Sequence, residues 1–217
     1  TVSEWADKYR VLTNISAEPG RWRTARTPYL KEPMDKFTDP LIESISLCFG
    51  AQIGKTETEL NMIGYALHQT ASPTMMVYPT DTIAKFASDK RVQPMIRSVE
   101  PLADMYDESS KLLELDFVNG NYMVLVGANS PSSLSSRSIK YLFFDEIDKY
   151  PAFSGKEANP IKLAEERTKT FVDKKIVRVS TPTIESGNIW QSYMGANERK
   201  QYYVPCPHCG VSQALKF

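Results

Sequence analysis

The sequence predicts an α/β fold in which a mainly parallel sheet lies between helices. Short apolar runs of strand length recur along the chain, helix-like segments separate most of them, and Gly, Pro or polar residues end each run. This alternation is typical of parallel strands joined by helices and covered on both faces. The chain has 217 residues, of which 41% are hydrophobic, and this suffices for one substantial core.

The first segment, residues 1–40, is predicted to be mostly irregular. An amphipathic helix is expected within residues 1–12, because Trp5 and Tyr9 fall on one side of it. Residues 13–40 are rich in Pro, Gly, Arg and Thr, which indicates loops with one or two helical turns near the end.

Residues 41–200 are predicted to form the α/β core. Asn119-Gly120 between two apolar runs is a hairpin signal, so one antiparallel pair is expected. Thr80 or Asp81 is expected to cap a helix after the second strand. The predicted strands are 42–49, 74–78, 112–117, 122–126, 139–144 and 175–180, and the predicted helices are 55–69, 81 towards 97, 160–170 and one after Gly187.

Residues 43–57, ESISLCFGAQIGKTE, read as an apolar strand, a loop with two glycines, and Lys-Thr opening a helix. Loop N–H groups and the positive end of such a helix bind phosphate oxygens. Lys55 is therefore expected to bind the β- and γ-phosphates of ATP, and the Thr56 hydroxyl to ligate Mg²⁺. Phe49 stands where G-x-x-x-x-G-K-[ST] has its first glycine, so the alternative is a plain strand–turn–helix corner. The predicted nucleotide-binding residues are Gly50, Ala51, Gln52, Ile53, Gly54, Lys55 and Thr56.

Two carboxylates follow another predicted strand. In YLFFDE, residues 141–146, apolar positions run into Asp145 and Glu146. Ligands of open α/β sheets bind beyond the carboxyl ends of the strands. We therefore expect Asp145 to hold the Mg²⁺ of Mg·ATP and Glu146 to orient and deprotonate the attacking water. The alternative for an acidic pair at this place is a helix N-cap. Together with the upstream loop, the pair predicts a P-loop NTPase.

Three further residues follow a strand, and two aromatic residues precede the loop. Short hydroxyl side chains at this place could sense the γ-phosphate and relay hydrolysis to a moving element, although Ser-Thr-Pro by itself indicates only a turn. Either aromatic could stack on the adenine base, and the alternative is that both cover the edge of the core. The coupling residues are Ser180, Thr181 and Pro182, and the aromatic residues are Trp22 and Tyr29.

In this order, the motifs resemble a known family: the large (motor) subunit of tailed-phage DNA-packaging terminases, in its lambda-type branch. The resemblance covers nearly the whole chain. It rests on EWADKYR near the start, PGRW at 19–22, GAQIGKTE at 50–57, YPTD at 78–81, YLFFDEID at 141–148, STP at 180–182 and CPHCG near the end.

The resemblance implies an additional-strand, RecA-like P-loop fold and an ATPase that uses ATP and Mg²⁺ to translocate double-stranded DNA into a procapsid. It implies the small terminase subunit, the portal and procapsid, and further copies in a homo-oligomeric ring as partners, without a membrane. The place implied is the bacterial host cytoplasm, with transient docking on the procapsid. In this family a nuclease domain follows the motor, so we expect the motor part alone and no nuclease activity here.

The sequence departs from the family at two points. Many large terminases carry an arginine in the phosphate loop, where this chain has Ala51 and Gln52. An arginine donated by a neighbouring subunit typically contributes ~10³–10⁵ in rate. Arg137, before the acidic strand, is our candidate, and the alternative is a surface arginine or a structural ion pair. Leu30 stands where some relatives place a base-reading glutamine, which weakens the prediction that the site selects adenine.

Residues 201–217 are predicted to begin a zinc-knuckle-like segment. Cys206 and Cys209 have the spacing of one ligand pair, and structural zinc needs four ligands. The second pair is expected beyond Phe217, so zinc binding is expected only together with residues outside this chain.

Composition restricts the function further. The chain has 26 basic and 26 acidic residues, so its formal net charge is zero. A protein whose only role is to hold nucleic acid usually carries an excess of basic residues. No apolar run approaches the ~20 residues of a membrane span, and the start lacks the pattern of a secretory signal. Three cysteines do not form a disulfide framework. Basic residues of one helix, Lys85, Lys90 and Arg91, could contact DNA phosphates or form a solvated face.

Two other functions remain open on the sequence alone. A helicase-like translocase would share the catalytic positions but needs a second motor domain. A non-catalytic nucleic-acid-binding or assembly module, with a degenerate phosphate loop, is favoured by the late glycine, Gly50.

Overall fold

The computed structural model describes residues 1–14, 16–155 and 158–214. Helices lie at α1 Val2–Tyr9, α2 Lys31–Lys36, α3 Lys55–Gln69, α4 Asp81–Ala87, α5 Gln93–Ser98, α6 Glu100–Ala103, α7 Pro131–Leu134, α8 Pro160–Glu166 and α9 Asn188–Met194. Strands lie at β1 Val11–Leu12, β2 Gly20–Arg21, β3 Ser44–Cys48, β4 Thr74–Tyr78, β5 Glu114–Asp116, β6 Tyr122–Gly127, β7 Tyr141–Asp145, β8 Lys175–Ser180, β9 Tyr203–Pro205 and β10 Ser212–Ala214.

A six-stranded sheet organises the chain, in the order β3-β8-β7-β4-β6-β5. All neighbouring pairs are parallel except β5–β6, the pair that the Asn-Gly signal predicts. Strand β8 is inserted between the strand that precedes the phosphate loop and the strand that ends in the acidic pair. This order brings the carboxyl ends of β3, β8 and β7 together at one edge of the sheet.

Helices cover both faces of the sheet, because the apolar side chains of the central strands point alternately to one face and to the other. In β7, Phe143 packs with the cluster that contains residues of α1, α3 and α5, and Phe144 packs with the cluster on α7, α8 and α9. Side chains in a strand alternate between its faces. Asp145 therefore lies on the face of Phe143, towards α3.

The N-terminal segment packs into the first of these cores. Thr1 and Glu4 form a capping box that starts α1, and Trp5 of this helix lies against α3. A Cβ at Gly64 would be 2.3 Å from the Trp5 ring, so this close approach requires glycine. The Trp5 indole also donates to His68 Nδ1 at 2.9 Å.

The predicted α/β fold with a mainly parallel sheet is confirmed, and most differences are at element ends. The bounds of α3, β4 and β8 match the predicted ranges, and the Thr80 hydroxyl caps α4 as expected. The predicted helix from 81 towards 97 is interrupted by a π-helical turn, Ser88–Val92. The N-terminal helix ends at Tyr9 rather than at 12, because the chain turns there to pair β1 with β2.

Candidate nucleotide-binding site

The conformation of the loop between β3 and α3 depends on the second of its two glycines. Gly54 has a φ of +86° and precedes the first residue of α3, and Gln52 has a φ of +60°. A Cβ at Gly54 would also lie 2.9 Å from Leu30 Cδ1. Glycine is thus required at the second position of the motif, both for its backbone and for its close packing. At Gly50 a Cβ would meet nothing within 4 Å, so this position imposes no such requirement.

Lys55 is the first residue of α3, directly after the loop, and is 7% exposed. Its ammonium donates to Gly50 O at 2.6 Å and to Thr181 Oγ1 at 2.8 Å. Burial lowers the pKa of Lys55, and the opposing charges of nearby carboxylates limit this effect. The loop and the predicted coupling residue Thr181 are therefore joined through the amine that the sequence assigns to phosphate binding.

Asp145 ends β7, and Glu146 follows it at the same edge of the sheet. Asp145 is 6% exposed, and burial, followed by the charge of Glu146, raises its pKa from 3.8 to about 6. Glu146 adopts the left-handed conformation with a φ of +55°, which costs about 1–2 kcal/mol for a residue with a side chain. Its carboxylate pairs with Lys149 at 2.8 Å. Such strain at a non-glycine residue is common at functional sites.

Asp148 is a residue of this site that the sequence reasoning missed. Its carboxylate accepts from Ile189 N at 2.7 Å and from both N and Oγ1 of Thr183 at 3.2 Å. Its own N–H donates to Ser180 Oγ at 3.4 Å. Asp148 therefore joins the turn after Glu146 to the Ser-Thr-Pro segment and to the start of α9. The sequence did contain a signal for Asp148, because it is a third acidic residue that follows Glu146 by two positions.

Glu59 is the second residue that was missed. It lies on α3 four residues after Lys55, so both are on one side of the helix. Its side chain is 0% exposed, and neither carboxylate oxygen has a hydrogen-bond partner. Burial, with the charges of Asp145 and Glu146, raises its pKa well above the ordinary value. A buried, unpaired carboxyl of this kind is uncommon outside functional sites.

The two aromatic residues proposed as base contacts differ in position. Trp22 is 7% exposed, packs in the core, and donates from Nε1 to Thr24 Oγ1 at 3.0 Å. The indole has no free face, which corrects the expectation for Trp22. Tyr29 is half-buried beside Leu30, the residue that touches Gly54. Its ring meets that of Tyr202 edge to face at 5.9 Å, so its role as a base contact stays a prediction.

Arg137 is not near the phosphate loop of its own chain. Its guanidinium pairs with Glu114 of β5 at 2.7 Å and lies over the ring of Tyr122 in β6, beside the last two strands of the sheet. It precedes β7 and so belongs to the amino end of that strand, opposite Asp145. A contribution to the site of its own chain is thereby excluded. Donation to a neighbouring copy stays a prediction.

The Cys-x-x-Cys turn connects β9 and β10. Backbone N–H groups of Cys209 and His208 point at the Cys206 sulfur and lower its pKa. Gly210, with a φ of +73°, closes the turn. Across residues 1–14, 16–155 and 158–214, no three His, Cys, Asp or Glu residues lie close enough together to hold a metal. Zinc binding by Cys206 and Cys209 stays a prediction.

The residues at the sheet edge suit Mg·ATP. Thr56 and Asp145 carry hard oxygen atoms of the kind that Mg²⁺ prefers, and the Lys55 ammonium contacts the loop that would surround the phosphates. Comparison with known proteins agrees with this interpretation. The family model described as "Phage terminase large subunit gpA, ATPase domain" matches residues 16–217. This chain belongs to that family.

Curated relatives of this terminase ATPase domain include two phage proteins. The terminase large subunit of Enterobacteria phage P21 is 29% identical over 227 residues, and that of Escherichia phage lambda is 27% identical over 225 residues. Each alignment covers 100% of this chain and 35% of the relative. The chain therefore spans about a third of the length of these proteins.

Solved structures of large terminases share the fold of this terminase domain. The crystal structure of the HK97 bacteriophage large terminase matches with a TM-score of 0.67 and 12% identity, over 89% of this chain and 39% of that one. A large terminase from a thermophilic bacteriophage, in complex with ATP-gamma-S, matches with a TM-score of 0.52 and 16% identity, over 77% of this chain and 41% of that one. The additional-strand P-loop fold expected from the sequence is confirmed. No helix in the described ranges is long and apolar enough to span a membrane.

Proposed function

We propose that this terminase domain hydrolyses ATP and, as part of a longer protein, drives translocation of double-stranded DNA into a procapsid. The observation that most supports this is the contact of Lys55 with both the phosphate loop and Thr181, beside the buried carboxyl of Asp145. The structure of the thermophilic phage terminase with ATP-gamma-S supports nucleotide binding by this fold.

Each residue then has a role that its position allows. Lys55 would leave Gly50 O and bind the β- and γ-phosphates, and Thr56 and Asp145 would hold a Mg²⁺ ion that would neutralise phosphate charge. Glu146, held in its strained conformation, orients the attacking water and accepts its proton. Thr181 loses its contact with the Lys55 ammonium when that amine binds phosphate. This exchange gives the Ser180–Pro182 segment a direct response to nucleotide.

The partners of the assembled motor follow from the same proposal. We expect viral DNA, the small terminase subunit, the portal with its procapsid, and other copies of the chain in a ring in the bacterial cytoplasm. In such a ring Arg137 would reach a neighbour's nucleotide, and Tyr29 would contact the base. Cys206 and Cys209 would bind zinc only with ligands from a following part of the protein.

The test compares Lys55→Ala and Glu146→Gln with the parent chain in Mg·ATP turnover. Removing the phosphate-binding ammonium or the general base should lower kcat by about 10²–10⁴-fold, because both groups act in the transition state. Lys169→Ala and Glu166→Gln are matched controls, since these residues form an exposed ion pair with each other. The controls should retain parent turnover. Unchanged turnover in both site variants would contradict the proposed function.

A further inference from the structure

Arg10 and Glu57 form an ion pair between the N-terminal segment and the first turn of α3. Nη2 of Arg10 donates to Glu57 Oε2 at 2.7 Å. Arg10 directly follows α1, whereas Glu57 is the third residue of α3 and lies in the same turn as Lys55. Each of the two residues ends a motif on which the family resemblance rests, EWADKYR at 4–10 and GAQIGKTE at 50–57. The proposed function uses neither of them.

The guanidinium of Arg10 is buried, so its charge is compensated inside the protein. The Arg10 side chain is 3% exposed, and that of Glu57 is 32% exposed. A buried charge costs stability unless an opposite charge and hydrogen bonds compensate it. Besides Glu57, the guanidinium donates to the carbonyl of Val11, and among the residues that the structure describes its Nε has no hydrogen-bond partner. Glu57 therefore provides the opposite charge that Arg10 needs.

Other contacts already hold α1 against α3. The ring of Trp5 packs closely on Gly64, and its indole donates to His68 Nδ1 at 2.9 Å. Gly64 follows Glu57 by seven residues, which in an α-helix is about two turns, or about 10 Å. The apolar contact between the two helices is therefore distant from the phosphate loop, and the ion pair of Arg10 is made at the end of α3 that the loop enters.

Glu57 places a negative charge in the turn of α3 where the phosphates of a nucleotide are expected. The first turn of a helix attracts anions through its free N–H groups and the helix dipole. A carboxylate in that turn has the opposite effect on a triphosphate, because like charges a few ångströms apart repel each other. The Arg10 guanidinium, at 2.7 Å, offsets the Glu57 charge with an equal and opposite one.

We propose that Arg10 is a positioning residue of the nucleotide site, which neutralises Glu57 so that the first turn of α3 can receive the phosphates. This inference rests on the proposed function, and it gives the N-terminal segment a part in it. Arg10 acts through Glu57 and needs no contact with the nucleotide. An arginine suits this role, because a guanidinium stays charged when it is buried and its planar donors hold the carboxylate in one orientation.

The experiment measures binding of Mg·ATPγS to the whole chain by calorimetry, at low and at high salt. The variants are Arg10→Met, Glu57→Gln and the double variant, with Arg10→Gln as a second neutral variant in case Arg10→Met does not fold. Circular dichroism melting verifies folding. Arg97→Met is the matched control, since Arg97 pairs at 2.8 Å with a glutamate, Glu108, outside the nucleotide site.

Arg10→Met should weaken binding by about tenfold, because it leaves the charge of Glu57 uncompensated beside the phosphates. This loss should shrink at about 0.5 M salt, where charges are screened within a few ångströms. Removing the Glu57 charge as well should restore the affinity to within about threefold of the parent. Glu57→Gln alone should bind at least as tightly as the parent, and Arg97→Met should match the parent.

The outcomes separate this inference from the proposed function. If the parent chain binds no Mg·ATPγS, the proposed function is wrong and the inference falls with it. If the parent binds and Lys55→Ala does not, but a folded Arg10→Met variant binds as the parent does, only the inference is wrong. A double variant as weak as Arg10→Met, at both salt concentrations, would also overturn it, because Arg10 would then serve only to shape the helix. Weaker binding by a folded Glu57→Gln variant would overturn it as well.

Discussion

Buried charges are compensated differently at the two ends of the parallel strands, which we call the amino edge and the carboxyl edge of the sheet. At the amino edge, Lys175 is 9% exposed, and its ammonium donates to the carbonyls of Asp39 and Ile42. Nearby, Lys140 pairs with Asp173 at 2.6 Å. At the carboxyl edge, Glu59 is fully buried with neither oxygen paired, and Asp145 is 6% exposed with a raised pKa.

This difference in compensation separates charges that stabilise the fold from charges that are available to a ligand. A buried charge is costly unless hydrogen bonds or opposite charges compensate it. At the amino edge the protein itself provides that compensation, so the charges there hold loops to the sheet. At the carboxyl edge the compensation is missing, and a bound cation and phosphates would provide it. The buried carboxyls thus cost stability at the edge where nucleotide binding is proposed.

The amino edge gives the largest expected effect on stability. Lys175→Met leaves two partly buried carbonyls without their donor, so the free energy of unfolding should fall by about 2–4 kcal/mol. Urea unfolding followed by circular dichroism measures this. The neighbouring Lys174→Met removes a looser pair with Glu43, at 3.4 Å, and should cost at most about 1 kcal/mol. Mg·ATPγS affinity should be unchanged in both variants, and weaker binding by Lys175→Met would contradict the distinction between the edges.

The carboxyl edge should respond in the opposite direction. Because burial raises the pKa of Glu59 above 4.5, its contribution to stability is fully present below pH 4.5 and is lost as pH rises towards the folded-state pKa. Glu59→Gln removes this titration and should raise the free energy of unfolding at pH 8 by about 1–3 kcal/mol, with a smaller gain at pH 5.

Urea unfolding at both pH values measures that gain, with Glu166→Gln as the exposed control. The control should change stability by no more than about 0.5 kcal/mol at either pH. A Glu59→Gln variant that is less stable than the parent at pH 8 would mean that Glu59 has a compensating partner. The contrast with Lys175 would then fail.

The smallest expected effect concerns the pH dependence of nucleotide binding. The pKa of Asp145 is raised from 3.8 to about 6, and only the ionised carboxylate ligates Mg²⁺. Protons should therefore compete with the metal below pH 6, so Mg·ATPγS affinity should fall by about tenfold for each pH unit below that value. Calorimetry between pH 7.5 and 5 measures the decline, and a measurement without Mg²⁺ separates it from titration of the phosphates. A flat profile would place the carboxyl of Asp145 outside the metal site.

The sequence predicted the parts of the site that depend on local pattern. A glycine loop followed by Lys-Thr predicted the start of α3 at the correct residue, and an apolar run predicted that Asp145 ends a central strand. Glu59 could not be identified in this way, because its importance depends on how α3 packs against β7 and brings it near Asp145. The spacing of four between Lys55 and Glu59 was the only local signal for it.

Arg137 shows that nearness in sequence does not imply nearness in space within one chain. It lies only eight residues before Asp145, but the strand between them, Tyr141–Asp145, is extended. At about 3.3 Å per residue, such a strand carries the chain from one edge of the sheet to the other. An arginine before a parallel strand therefore lies at the edge opposite to a carboxylate after it.

The contacts of Asp148 have a mechanical consequence. Its carboxylate accepts from Thr183 Oγ1 and from Ile189 N near the start of α9, and Asn188 Nδ2 donates to Ile147 O at 2.9 Å. Gly187 is packed so closely that a Cβ would lie 2.5 Å from Asp148 Oδ2. The turn after Glu146 and the helix α9 are thus held together by hydrogen bonds and close packing. If Glu146 moves during the proposed catalytic cycle, these contacts would move α9 with it.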